Sequence, residues 1–432
     1  MFRKITAQLE EWRESPYRKP LILQGARQVG KTYIVLEFAR NHYDNIVSVN
    51  FEREQDAKAI FEASIDPEEV IPRLAQNKKQ SITKGRTLLF LDEIQACPSA
   101  LTSLKYFNEN ANDYHVIAAG SLLGVAVAHD QYSFPVGKVN TKTLCPMDFE
   151  EFLIALGKGD LALKIRERFE DNAPMESWLH KELLGHYRSY LIIGGMPSCV
   201  NLFKDTRDYT LIRDAQNAIL TDYLNDMSKY NTENEIKKTR LTYSAVSAQL
   251  SKKNTRFQYK LVKKGGRASE FENAIEWLAL SGIVSRVYNV DAIKKPLEDY
   301  KNIDSFKIFF SDIGLLNANK NIIPEDILYE SPDLNDFKGG MTENYVCQQL
   351  VTGRKILYTW HSEGIAEIDF IYQDAQGKLI LVEVKSADNT QAKSLTAYVK
   401  KHKPAYAIKL STKNFGFVNG IKTVPLYAAF CI

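Results

Sequence analysis

Cysteine is scarce in this chain: five residues in 432, Cys97, Cys145, Cys199, Cys347 and Cys431, lie far apart, with no CxxC and no neighbouring histidine pair. That argues against a disulfide framework or a zinc site and favours a reducing compartment. Long apolar runs are lacking too. The longest, Val116 to Ala128, is interrupted by Gly120, Ser121 and Gly124, and it falls short of the roughly 20 residues that a spanning helix needs. The first twenty residues carry Glu10, Glu11, Arg13 and Glu14 but no apolar signal-peptide core. A cytoplasmic chain with no membrane partner is therefore expected. No internal repeat or low-complexity segment is present. Nor is there an excess of one charge: 56 Lys and Arg against 53 Asp and Glu leave +3, too little to imply nucleic acid or a membrane, so any such argument must come from local charge.

What is there describes an ordinary globular protein, with 44% hydrophobic and 25% charged residues. A chain of this length exceeds what one core usually serves, so roughly two to four domains are expected. The chain is organised around Leu21-Ile22-Leu23-Gln24 running into Gly25-Ala26-Arg27-Gln28-Val29-Gly30-Lys31-Thr32, which fits the phosphate-binding pattern GxxxxGK[ST]. The apolar tetrad reads as a buried strand, and Ile34, Val35, Phe38 and Ala39 have helical spacing through Tyr43. In such a loop, Gly25 to Thr32 present successive backbone N–H groups to phosphates, and the glycines let the backbone come close. Lys31 is expected to reach the β- and γ-phosphates of ATP, with the Thr32 hydroxyl on Mg²⁺.

Further along, Met1 to Pro20 reads as a helix, Ile46 to Phe51 as a strand and Ile71 to Lys84 as a polar helix. Thr87-Leu88-Leu89-Phe90-Leu91 ends in Asp92-Glu93. A buried parallel strand ending there would deliver Asp92 to the Mg²⁺ beside Thr32, and Glu93 would polarise the attacking water. Another strand, His115 to Ala119, leads to Ser121, which reads either as a γ-phosphate sensor or as the cap of the next helix. A last strand is expected at Thr143 to Cys145.

These segments, GARQVGKT, LFLDEIQ, AAGSLLG (Ala118 to Gly124) and LCPMDFEEF (Leu144 to Phe152), are joined by IIGGMPSCV (Ile192 to Val200), FFSDIGLL (Phe309 to Leu316), MTENYV (Met341 to Val346), EIDFIY and LVEVKS. Together they resemble the bacterial and archaeal AAA+-like ATPases that carry a C-terminal DUF4143 region. The resemblance spans nearly the whole chain and implies an ATPase. It departs at Gly137-Lys138, where members have Gly-Arg, and a lysine lacks arginine's planar fork of donors.

From Leu153 to Tyr230 the pattern is helical, with a break at Gly194-Gly195-Met196-Pro197. Leu241 to Leu250 and Ala268 to Ser281 read as helices before an alternating strand, Ile283 to Val290, an order that suggests a winged helix. Between them Lys252, Lys253, Arg256, Lys260, Lys263, Lys264 and Arg267 come without an acid, with Phe257 and Tyr259 interleaved. Lys252 to Arg267 reads either as a DNA footprint or as a solvated basic face.

Glu367 to Tyr372 and Leu379 to Val384 alternate as two strands of a hairpin. Asp369, Glu383 and Lys385 would meet at one end, with Glu343 joining from a preceding helix. This resembles the PD-(D/E)xK nuclease core, in which carboxylates such as Asp369, Glu383 and Glu343 hold Mg²⁺ and a lysine orients water; the other reading is a binding module with salt-bridged acids. The expected fold is α/β: a P-loop parallel sheet (1–155), a helical and winged-helix region (156–300) and a small nuclease-like domain (301–432). ATP and Mg²⁺ are the expected cofactors. DNA is the candidate partner through Lys252 to Arg267 and the C-terminal domain, self-association stays open, and the competing reading is a nucleotide switch that binds proteins.

Overall fold

A computed structural model describes residues 1–121, 134–228, 232–250, 256–361, 367–386, 393–402, 404 and 406–432. The chain forms two compact units, Met1–Cys145 with Leu280–Gly282, and Pro146–Ala279 with Ile283–Ile432. Lys252 and Lys253 lie outside the described residues, as do the last three residues of the AAGSLLG segment.

In the first unit, strands β1 (Leu21–Gln24), β2 (Asn45–Asn50), β3 (Thr87–Asp92), β4 (His115–Gly120) and β5 (Asn140–Thr143) form a parallel sheet in the order β2-β3-β4-β1-β5. Leu21, Ile22 and Leu23, and the whole of β3 and β4, are buried. Unbroken apolar runs of this kind suit strands covered on both faces, where alternation would bury polar groups. Leu89, Leu91, Val116 and Ala118 pack with Phe61, Leu104 and Phe107 from the flanking helices. Registers Gln24↔Gly120 and Asn50↔Asp92 bring the carboxyl ends of neighbouring strands level, which is where open parallel sheets bind ligands. The last strand ends at Thr143 rather than Cys145, since Leu144 N already turns to bond Gln24 O at 2.8 Å.

The second unit packs helices around an eight-stranded mixed sheet. Its strands are β6 (Val284–Val290), β7 (Lys301–Phe310), β8 (Tyr358–His361), β9 (Glu367–Gln373), β10 (Leu379–Val384), β11 (Ala407–Ser411), β12 (Gly416–Val418) and β13 (Ile421–Pro425), ordered β12-β13-β11-β10-β9-β8-β6-β7. The pair β6–β7 follows helices, as the winged-helix expectation has it, without standing alone as a wing. A wing is a free hairpin, whereas β6 bonds β7 on one side and β8 on the other, with Val284, Val287 and Val290 buried. A division at residue 300 is not found, because it would fall inside this sheet. Residues 146–155 also fold with the second unit: Phe149 N donates to Gln349 Oε1 at 2.8 Å, and the rings of Phe149 and Phe152 pack on Tyr190.

Three of the quoted sequence segments, those of Met147, Gly195 and Asp312, meet in one buried polar knot. Asp312 is fully buried; its carboxylate accepts from Leu315 N (2.9 Å), Gly195 N (2.6 Å) and Gln348 Nε2 (3.3 Å). Gln348 also donates to Tyr190 Oη at 2.9 Å, and that hydroxyl donates to Met147 O at 2.5 Å. Burial pushes the Asp312 carboxyl up to about 6 against the pull of its N–H donors, so at neutral pH it is the acceptor-only carboxylate that the donors require. The glycines permit this closeness: a Cβ on Gly194 (φ +75°) would lie 2.2 Å from Asp312 Oδ1, and one on Gly195 2.0 Å from Met147 O.

Candidate functional site

The loop after β1 leads into the helix Lys31–His42, as the sequence pattern requires. Gly25 (φ +149°), Gln28 (φ +65°) and Gly30 (φ +96°) make the turns. A Cβ on Gly25 would lie 2.2 Å from Leu144 O, so only glycine fits there. Ala26 and Val29 are buried beneath the loop, while Arg27 is half-buried and Gln28 exposed. The Lys31 ammonium donates to Gly25 O and Ala26 O, both at 2.8 Å. It thus lies along the loop.

The acid pair lies opposite. Thr32 Oγ1 donates to Asp92 Oδ2 at 3.0 Å, and Asn50 Nδ2 approaches the same oxygen at 3.5 Å. Burial, and then the neighbouring Glu93, raise the Asp92 carboxyl above its ordinary range, with the Thr32 hydroxyl opposing. Hydroxyl and carboxylate are hard oxygen donors at bonding distance from each other, so these residues fit Mg²⁺. Glu93 departs from the strand with φ +50° and ψ +47°, a left-handed conformation that is uncommon for residues other than glycine. Its Oε2 accepts from Gln95 Nε2 at 2.6 Å. Ser121 is buried just past the end of β4, the strand between β1 and β3. Lys138, which stands where the resemblance has arginine, pairs with Glu109 at 2.8 Å.

Two contributors escape sequence reading. Arg3, buried in the first unit, donates to Val29 O at 2.9 Å and to Cys145 O at 2.5 Å, so it braces the phosphate loop from below. Gln95 orients Glu93 from two residues on. Only its place after the acid pair hints at that role.

In the second unit the structure gathers the expected C-terminal residues around a cavity of about 460 Å³ that Arg256, Lys307, Glu343, Glu367, Asp369, Glu383 and Lys385 help to line. Asp369 Oδ2 accepts from Val384 N at 2.7 Å, and Lys385 Nζ pairs with Glu383 Oε1 at 2.5 Å. Burial, then Glu343 and Glu383, push the Asp369 carboxyl well up, and burial also raises Glu383. Lys307 and Glu367 join unannounced by the sequence: the Lys307 ammonium lies 3.1 Å from Glu343 Oε2 and 2.8 Å from Glu367 Oε1. Although burial acts to lower its pKa, Glu343, Glu367 and Asp369 raise it overall. Of the acids expected to hold a metal, Glu343 and Glu383 are thus paired with lysines, while Asp369 accepts from a backbone N–H. Among the described residues no group of three His, Cys, Asp or Glu side chains that could hold a metal ion is found, and here the ammonium groups of Lys307 and Lys385 occupy carboxylate oxygens that a metal would need.

The basic stretch is split by its environment. Arg256, Lys260, Lys263, Lys264 and Arg267 are exposed. Phe257, however, is buried and stacks on Phe306 with centroids 5.7 Å apart, and Tyr259 Oη donates to Glu272 at 3.1 Å. Of the two interleaved aromatics, Phe257 thus belongs to the core. No helix among the described residues is long and apolar enough to cross a membrane.

Residues 17–153 match the family model described as AAA domain. Residues 184–326 and 338–429 match two domains of unknown function, DUF8612 and DUF4143. No curated protein matches in sequence. Among solved structures, the chain is similar to the Walker-type ATPase PABY2304 of Pyrococcus abyssi at 13% identity, over 74% of this chain and 95% of that one, with a TM-score of 0.47. It is also similar to the Aeropyrum pernix ORC1 protein solved in complex with DNA (14% identity, 74% and 93% covered, TM-score 0.33) and to the Aeropyrum pernix ORC2 protein solved as ADPNP-ADP complexes (13%, 76% and 95%, TM-score 0.37). At such TM-scores these likenesses bear on neither ligand nor partner. Taken with the loop, the acid pair and the parallel sheet, the family matches place in this chain an N-terminal AAA-type P-loop ATPase domain and a C-terminal DUF4143 region.

Proposed function

We propose that the chain binds and hydrolyses ATP at the first unit. The 3.0 Å contact between Thr32 Oγ1 and Asp92 Oδ2 carries this reading, because it pairs the two oxygen ligands that an Mg²⁺–nucleotide complex needs directly beside Lys31. Lys31 would leave the carbonyls of Gly25 and Ala26 for the β- and γ-phosphates, and the N–H groups of the loop would surround them. Thr32 and Asp92 would hold Mg²⁺, which when bound supplies charge neutralisation at the phosphate oxygens. Glu93, steadied by Gln95, takes a proton from the attacking water, and Ser121 senses the γ-phosphate from the neighbouring strand. Lys31→Ala should weaken ATP binding by roughly tenfold to a hundredfold, the worth of a charge-assisted hydrogen bond, with the fold intact. Unchanged affinity in a calorimetric titration of the folded variant would remove the phosphate-loop assignment.

The work of that turnover, in this reading, is done on or with nucleic acid. Five exposed cations between Arg256 and Arg267, with no acid among them, support it. Replacing Lys260, Lys263 and Lys264 together by Gln should weaken duplex binding and lower the slope of log affinity against log salt by about 0.9 for each phosphate no longer neutralised. If the native chain binds no duplex even at low salt, the competing reading stands instead: a nucleotide switch that engages proteins.

A further inference from the structure

We infer that Lys307 is a resident cation: its ammonium takes the electrostatic place of a divalent metal among Glu343, Glu367 and Asp369, and the cavity of the second unit is built to work without Mg²⁺ or Mn²⁺. The inference does not depend on the ATP-site reading. It rests first on geometry. Lys307 projects from β7 to carboxylates on two other elements, Glu343 on the helix Asn335–Thr352 and Glu367 on β9, at 3.1 and 2.8 Å. A metal bridges carboxylates from separate elements in the same way, at a cost in desolvation that only opposite charge offsets. It rests second on location. Lys307 is 8% exposed, so its charge is fixed in the cluster rather than shared with water.

The remaining charges agree. Lys385 holds Glu383 Oε1, and Asp369 is committed to Val384 N. Glu383 Oε2 is buried with no hydrogen-bond partner among the described residues, so the charge of this carboxylate is balanced through its other oxygen by Lys385. With Lys307 present the acids lack the convergent oxygen set that Mg²⁺ demands. With Lys307 removed, the same acids would sit close together with one positive charge fewer, and a divalent cation would be the natural replacement.

The test is Mn²⁺ titration of the full chain without nucleotide, read by loss of the free-ion paramagnetic resonance signal, in an Asp92→Asn background that silences the first unit. The parent should bind no stoichiometric Mn²⁺, whereas Lys307→Met should gain one site per chain, roughly tenfold or more tighter than any residual binding, and Glu343→Gln should reverse the gain. Lys307→Gln serves as a second variant, with a Mn²⁺-dependent rise in its unfolding midpoint as the readout. Stoichiometric binding by the parent that Asp369→Asn abolishes would overturn the inference whether or not the Lys307 variants fold. So would folded Lys307 variants that gain no site.

Discussion

Glu93→Gln should still bind ATP yet turn it over roughly 10²–10⁴ times more slowly, the range expected for losing a positioned general base. The amide keeps the size of the side chain and an oxygen for Gln95 Nε2, now 2.6 Å from Glu93 Oε2, so the geometry survives while the proton acceptor does not. The left-handed backbone at Glu93 lifts this acid off the strand line that fixes Asp92, and local strain of that kind recurs where a side chain has to be aimed. Asp92→Asn should behave differently, impairing Mg²⁺-dependent binding before any chemistry. Single-turnover hydrolysis alongside equilibrium nucleotide binding separates the two. Equal turnover in native chain and Glu93→Gln would mean that the catalytic carboxylate lies elsewhere.

The second large effect concerns stability. Asp312→Asn should destabilise the second unit by about 2–4 kcal/mol, although it leaves no cavity. The reason is a mismatch of donors: Gly195 N and Gln348 Nε2 meet one oxygen of Asp312 and Leu315 N the other, so whichever way the amide turns, its NH₂ confronts a donor. Hydrogen exchange at Gly195 and Leu315 reports the site directly, which matters because a chain of two units need not unfold in one step. Protection equal to that of the native chain would show that the carboxylate charge is not what holds the knot.

What the sequence revealed depended on how local the cause was. The phosphate loop was legible because eight consecutive residues set its backbone, and Asp92 and Glu93 because four apolar residues before them announce a buried strand. Arg3 was not, since its partners Val29 and Cys145 lie 26 and 142 residues away. The acid cluster was half legible. Alternation placed Asp369 and Glu383 on a hairpin, but nothing in Phe306-Lys307-Ile308 separates a resident cation from a solvated lysine. Phe257 read as part of a basic stretch because cations flank it, yet Phe306, which it packs against, arrives from a strand some fifty residues on. The knot at Asp312 shows the same limit: its segments stood out as motifs, and only the folded chain shows that they are motifs for one another.

The place of β6 between β8 and β7 also bears on where the chain can be cut. A clone starting at residue 301 would hold β7 but not the strand that joins it to the rest of the sheet, and one ending at 300 would hold β6 with neither neighbour. The seam suggested by the order of motifs along the gene is therefore not a seam of the protein. Lys307 and Glu367, 60 residues apart in the chain, would both lie in the half that starts at 301, but without β6 nothing there would tie the β7 of Lys307 to the sheet that carries Glu367.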